Sequence, residues 1–328
     1  MTDWRDLTRR ASFASHRLLG WIFWEPRAKD NLEALGVPGG MGHYIVNRGA
    51  PLAPAGAEAL FAAFYTIKRE FIHFAIDHAA PHITNWHDVT VARDAAVRAG
   101  LEEMTPQVMQ PLGELADDLW RVVDTIPASG RVLFAAHKSW PRPTDPVMSA
   151  WNALNCIREW RGDTHFGILL NDDIGVVEAG LLHDAWMGYP KEWIPRSRGA
   201  KDNQIAEALE SLSVRGYVTD GVVNSVGIEF RQWLEEETNR LCAACWNAFG
   251  RDNTLRFLDI IEPVGQQRDR VRDEGDLRRR TAHVLVELGR HEVDRARRLR
   301  RRRRRRGILD RCRPGVVTRD IHVALDVE

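Results

Sequence analysis

The chain has 328 residues, 44% of them apolar and 28% charged, a composition that excludes collagen, an extended coiled coil and a wholly disordered chain. The length suits about two domains, taking roughly 150 residues for each. No apolar stretch approaches the ~20 residues of a membrane span, Met1 to Arg10 lacks the apolar core of a secretory signal, and four cysteines are too few for a disulfide framework; the chain therefore reads as cytoplasmic, with no membrane partner.

Leu7, Ala11, Ala14, Leu18, Trp21 and Ile22 recur at helical spacing and predict a first helix, with Pro26 just past its end. His16 lies opposite that stripe among Phe13, Leu19 and Phe23, either as a core histidine or as a pocket wall. The glycine-rich stretch Gly36 to Gly49 predicts a loop, and no strand precedes it as a phosphate loop requires. Glu58 to Ala79 predicts one long helix burying Leu60, Phe64, Ile67, Phe71 and Phe74. Val89 to Leu101 and Pro111 to Val123 predict two more. His73, His78, His82 and His87, with Asp77 and Asp88 nearby, invite a metal reading. Pro81 interrupts the His78/His82 spacing that two ligands on one helix face require, so exposed histidines at a helix end are expected and no metal or other cofactor.

Pro141, Pro143 and Pro146 mark a connection, after which a helix is predicted from about Val147 to Leu170. It carries Arg158, Glu159, Arg161, Asp163 and His165. At 100° per residue Arg158, Arg161 and His165 share an arc of about 60° with Leu154, while Glu159 and Asp163 share another face. These charges sit among apolar residues, and burying them is costly unless they are paired. Gly162 costs ~1 kcal/mol relative to alanine in mid-helix, which suits close approach of a ligand or another backbone. Two readings stand. One is a structural ion network between helices. The other is a polar pocket for an anionic or hydroxylated small molecule, lined by His16, Arg158, Glu159, Arg161, Asp163 and His165, with hydroxyls from Tyr44 and Tyr65. Arginine's planar fork suits carboxylate or phosphate, and His165 can exchange a proton near neutral pH.

Asn203 to Arg215 predicts a helix ended by Gly216. Tyr217-Val218, Thr219-Asp220-Gly221 and Val222-Val223 predict a small hairpin, because Asp-Gly favours a tight two-residue turn. Ser225 can cap a long helix to about Trp246. Cys242 and Cys245 have redox-like spacing but fall late in this helix and follow no strand, which excludes a thioredoxin-type site. Residues 265–328 hold 20 basic and 11 acidic residues and include seven consecutive arginines, Arg300 to Arg306; residues 1–264 hold 26 bases and 35 acids, a charge of −9. Like charges this dense favour a disordered tail; the alternative is a nucleic-acid arm, since arginines release counterions from phosphates.

Three segments, Ser15 to Pro26 ("SHRLLGWIFWEP"), Asn152 to Leu170 ("NALNCIREWRGDTHFGILL") and Ala208 to Leu241 ("ALESLSVRGYVTDGVVNSVGIEFRQWLEEETNRL"), resemble the actinobacterial SalK-like helix-turn-helix proteins over about residues 3–264. The resemblance implies a mainly α fold: a helical N-terminal ligand domain, residues 1–170, and a winged helix-turn-helix with a short β-hairpin wing, residues 171–264. Residues 265–328 depart from it.

Duplex contact by the body is expected to be weak. A recognition helix needs bases on its exposed face, yet Asp202, Glu207 and Glu210 lie between Lys201 and Arg215, and the wing offers Asp220 and no base. Protein contact or homodimerisation suits these charges. The leading expectation is a small-molecule-binding winged-helix protein acting as a ligand-sensing regulator. The alternatives are an enzyme of specialised metabolism, using His165 or His16 as acid–base beside an Arg158/Arg161 anion clamp, and a scaffold with no ligand.

Overall fold

In the computed structural model, residues 3–20, 26–37 and 42–264 are described. Trp21, Ile22 and Phe23 of the first expected helix, and the whole arginine-rich segment 265–328, lie outside the described residues. Within them the chain is mainly helical with a single two-stranded antiparallel sheet. The first half runs α1 (Trp4–Gly20), α2 (Pro26–Ala34), α3 (His43–Gly49), α4 (Ala57–Phe64), α5 (Arg69–Ala79), α6 (Trp86–Met104), α7 (Pro106–Gly113), α8 (Ala116–Thr125) and α9 (Val132–Lys138). The second half runs α10 (Pro146–Asn171), α11 (Val176–Met187), α12 (Trp193–Ser197), α13 (Asp202–Val214), β1 (Val218–Thr219), β2 (Val222–Val223), α14 (Ser225–Phe249) and α15 (251–264). No described helix is long and apolar enough to cross a membrane.

The helix α10 is the axis of the fold. It starts at a strong local signal: the Asp145 carboxylate accepts from Met148 N–H at 3.0 Å, and Pro146 occupies the first turn, where a missing amide donor costs nothing. Its side chains are buried almost continuously from Val147 to Trp160, because α1, α7, α8, α9 and α14 all pack on it. The expected span, 147 to 170, agrees to within one residue at each end.

Three expected features are replaced. The single helix over Glu58 to Ala79 is two helices, α4 and α5, broken at Tyr65. There φ is +41° and ψ −59°, and Thr66 N–H donates to Phe64 C=O at 2.5 Å. Tertiary contacts hold that tight turn. The Tyr65 hydroxyl donates to Ile174 C=O at 2.6 Å, its ring stacks on Phe166, and Lys68 N–H donates to Arg198 C=O. Phe74 is consequently half exposed. The glycine-rich stretch expected as a loop ends in α3, whose residues Tyr44 to Gly49 are all buried. Burial overrides glycine's poor helix propensity here. Gly49 is needed for contact, since a Cβ there would lie 2.7 Å from Leu60 Cδ2. The helix expected over Pro111 to Val123 is likewise divided between α7 and α8.

The hairpin forms as the Asp-Gly pair predicts. Val218 pairs with Val223 and Thr219 with Val222, and both turn residues have positive φ, Asp220 at 51° and Gly221 at 72°, as a type I′ turn requires. The cap of α14 is Asn224, not Ser225: its side chain accepts from Gly227 N–H at 3.1 Å. Gly227 lets the helix start press onto the hairpin, because a Cβ there would meet Tyr217 C=O at 2.6 Å. The helices α11 and α12, unread in the sequence, complete this part. Both Asp184 carboxylate oxygens accept from Ile194 N–H at 3.1 Å, which ties α11 to α12. The core beneath α11, α13, the hairpin and α14 is Ile174, Val177, Leu181, Leu182, Ile205, Leu212, Val218 and Leu234, continuous with Ile168 and Leu169 of α10.

Candidate functional site

The charged run of α10 is divided among three neighbours. Toward α3, Glu159 is fully buried and meets Arg48 in a two-point ion pair, with Nε donating to Oε1 at 2.9 Å and Nη2 to Oε2 at 2.7 Å. Arg158 Nη1 donates to the same carboxylate at 2.6 Å, and Arg48 Nη1 donates to the Tyr44 hydroxyl at 2.6 Å. Burial alone would raise the Glu159 carboxyl, but the two guanidiniums outweigh it and hold the group at about 2. His137 of α9 closes this layer. Asn155 Nδ2 donates to its Nδ1 at 3.2 Å, so the ring proton sits on Nε2 and is donated to Arg48 C=O at 3.0 Å. Burial pushes His137 down to about 4, which keeps the ring neutral at pH 7.

Toward α14 the same helix presents Arg161 and His165, one turn apart. Arg161 Nη2 donates to Glu235 Oε1 and lies 3.4 Å from Asn239 Oδ1. The His165 Nδ1 lies 2.8 Å from the Thr238 hydroxyl, which itself donates to Leu234 C=O at 2.7 Å. With the hydroxyl proton committed to that carbonyl, Nδ1 is the donor to the Thr238 oxygen. Glu235 is held from a second side by Arg231 of α14, whose Nη1 donates to Oε2 at 3.1 Å. The Arg231 guanidinium is buried, stacks over Trp186 at 4.5 Å and lies 3.2 Å from His183 Nδ1. A continuous polar chain thus runs from Arg161 on α10 through Glu235 and Arg231 on α14 to His183 on α11.

Two of the remaining expected residues, Asp163 and Tyr65, turn elsewhere. Asp163 turns to α9, where it accepts from Phe134 N–H at 2.9 Å and so caps that helix; burial pushes its carboxyl up to about 7 against this bond. His16 is half-buried on α1, which packs on both α10 and α14. Tyr44 joins the Arg48 layer, whereas Tyr65 belongs to the α4–α5 turn. Gly162 does not make room for a backbone: a Cβ there would meet Arg48 Nη2 at 3.7 Å and Glu159 Oε2 at 3.9 Å, ordinary contacts. His73 pairs with Glu58 at 3.0 Å, and His78 Nδ1 donates to Phe74 C=O at 2.8 Å. No group of three metal-ligating side chains converges among the described residues. Cys156, Cys242 and Cys245 are buried free thiols; burial pushes Cys156 up to about 12 and Cys242 up to about 11, so both stay protonated at neutral pH.

Sequence reasoning missed Arg48, His137, Glu235, Thr238, Arg231 and His183. A pattern of local charge spacing offers one signal, because Arg231 and Glu235 form an i, i+4 pair. Arg48, His137 and Thr238 reach α10 across 18 to 111 residues and His183 reaches Arg231 across 48, where periodicity says nothing.

No curated protein and no solved structure matches the chain. A family model described as a helix-turn-helix family matches residues 8–277, well over half of the sequence. Together with the helix–hairpin–helix order of α13, β1, β2 and α14, this match places the chain in the helix-turn-helix family.

Proposed function

We propose that the chain is a winged-helix regulator of the SalK-like kind that senses an anionic small molecule. The sensor is residues 1–170 and the winged-helix output is residues 171–264, with α14 returning to close the sensor. Arg158, Arg161, His165 and His16 are the ligand-facing set. Glu159 orients Arg158, and Asp163 fixes the register of α9 beneath them. The observation that supports this reading is the sharing of Glu235 between Arg161 and Arg231. An incoming carboxylate or phosphate matches the fork of Arg161 as Glu235 does. Taking Arg161 from Glu235 shifts the balance of contacts between α10 and α14, and Arg231 carries that change to His183 on α11. A ligand moves an equilibrium only through such a difference in contacts between two states. Catalysis does not need this link to the output helices, which favours the regulator over an enzyme.

The exposed face of α13 carries Asp202, Glu207 and Glu210, so the output acts through protein contacts more than through base reading. Native mass spectrometry of the full chain, purified from the organism that makes it, tests the sensor. The expected result is a small-molecule adduct on the wild type that is lost in Arg161→Met while the thermal midpoint is largely kept. A wild type without any adduct, or an adduct equal in both, overturns the reading.

A further inference from the structure

We infer that the outer face of α14 is a self-association surface, on which a second copy of this chain packs its own α14 antiparallel about a two-fold axis through Glu237. At 100° per residue Val226, Phe230, Trp233, Glu237, Leu241, Ala244 and Ala248 fall within an arc of about 80°. The adjoining face, centred about 100° away, holds the buried Arg231, Leu234, Thr238, Cys242 and Cys245. Most of the outer arc is open: Val226 is 52% exposed, Trp233 43% and Leu241 39%, and Ala244 and Ala248 are exposed, while Phe230 is partly buried against the core. Scattered apolar surface residues are ordinary; a stripe of six along one helix is not. From Val226 to Ala248 the stripe is about 33 Å long at 1.5 Å per residue.

Side-chain size and charge select a second copy as the occupant. The N-terminal half of the stripe is bulky, and the Phe230 ring is stacked between Tyr217 and Trp233 at 4.6 and 5.7 Å. The C-terminal half ends in two alanines. A two-fold through Glu237 reverses one helix against the other, so Val226 falls opposite Ala248, Phe230 opposite Ala244 and Trp233 opposite Leu241. Val226 and Phe230 then meet alanines and Trp233 meets Leu241, and the patch is complementary to itself, as an isologous interface requires. The charge pattern agrees. Glu237 lies on the axis, and Arg240 donates to it within the helix at 2.6 and 2.7 Å. In the pair, each Arg240 faces the Glu237 of the other copy, so the two carboxylates at the axis are each met by a guanidinium, while Glu236 keeps Arg5 of its own chain. A parallel pairing would set Trp233 against Trp233 and alanine against alanine, losing both matches.

Light scattering during gel filtration of the full chain at tens of micromolar reads the mass directly. The wild type is expected at twice the chain mass. Ala244→Arg, at an exposed position that leaves the monomer's fold intact, is expected to halve it with an unchanged circular-dichroism melt. Glu237→Arg gathers four arginines at the axis and is expected to halve it too, while Glu237→Arg with Arg240→Glu restores the dimer. A monomeric wild type overturns the proposal. So does a dimer that survives Ala244→Arg, which would place the contact elsewhere, or a double charge reversal that fails to restore the mass, which would exclude the antiparallel register. Each of these readouts is independent of ligand binding.

Discussion

Arg48 and Glu159 stand 111 residues apart in sequence and meet in the interior as a two-point ion pair, with the two side chains 5% and 0% exposed. The pair fixes α3 against the middle of α10, and it does so with charges that water would otherwise solvate. Such a pair adds little over a well-packed apolar one, but leaving one partner alone is costly. Arg48→Met is therefore expected to destabilise the protein by ~3–5 kcal/mol. The double change Arg48→Met with Glu159→Leu should cost less than the single one. Urea denaturation of the three proteins checks both, and a double variant worse than Arg48→Met would show that Arg158 also depends on the carboxylate.

Gly162 offers a gain. Its missing side chain leaves only ordinary contacts to fill, at 3.7 Å from Arg48 Nη2, and α10 is helical through this position. Gly162→Ala should stabilise the protein by up to ~1 kcal/mol through helix propensity. A rise in thermal midpoint is the expected readout. A fall would mean that something besides the Arg48–Glu159 pair occupies the space beside this glycine.

Asp163 gives a pH signature of defined sign. Burial holds its folded carboxyl at about 7, above the ~3.9 of an unfolded chain, so between about pH 4 and pH 7 the folded state binds more protons than the unfolded state. Stability from this group is present at the acid end and lost as pH rises through that window, by at most ~1.4 kcal/mol per pH unit. Asp163→Asn keeps an acceptor for Phe134 N–H and removes the titration. Its stability relative to wild type should therefore climb from pH 4 to pH 7 and level off above. Guanidinium midpoints for both proteins at four pH values measure it, and a flat difference would place the Asp163 carboxyl in its ordinary range.

The acidic α13 face sets an expectation for nucleic acid. Residues 1–264 should bind duplex DNA weakly or not at all at physiological salt, because Asp202, Glu207 and Glu210 face outward and phosphates are held by bases. Fluorescence anisotropy with a labelled duplex reads this. A footprint at one defined sequence would make base reading by α13 the output in place of protein contact.

The sequence by itself determined the local features of this protein. The apolar periodicity after the proline-marked connection placed α10 to within a residue at each end, Asp-Gly fixed the hairpin turn, and the density of charge among apolar residues from Arg158 to His165 marked a helix whose charges had to find partners inside. These are read from neighbours a few positions apart, where backbone geometry is set by steric and capping rules alone. The tertiary structure decided everything that depends on which surfaces meet. It broke the helix at Tyr65 to satisfy Ile174 and Phe166, made a helix of His43–Gly49 at the end of the glycine-rich stretch because Tyr44 to Gly49 are buried, and turned Asp163 to cap α9. It also divided the charged run between Arg48 on one side and Glu235, Thr238 and Asn239 on the other. A buried charge must be paired, and the sequence states that need. Which partner meets it depends on how distant helices pack, and no local pattern encodes that.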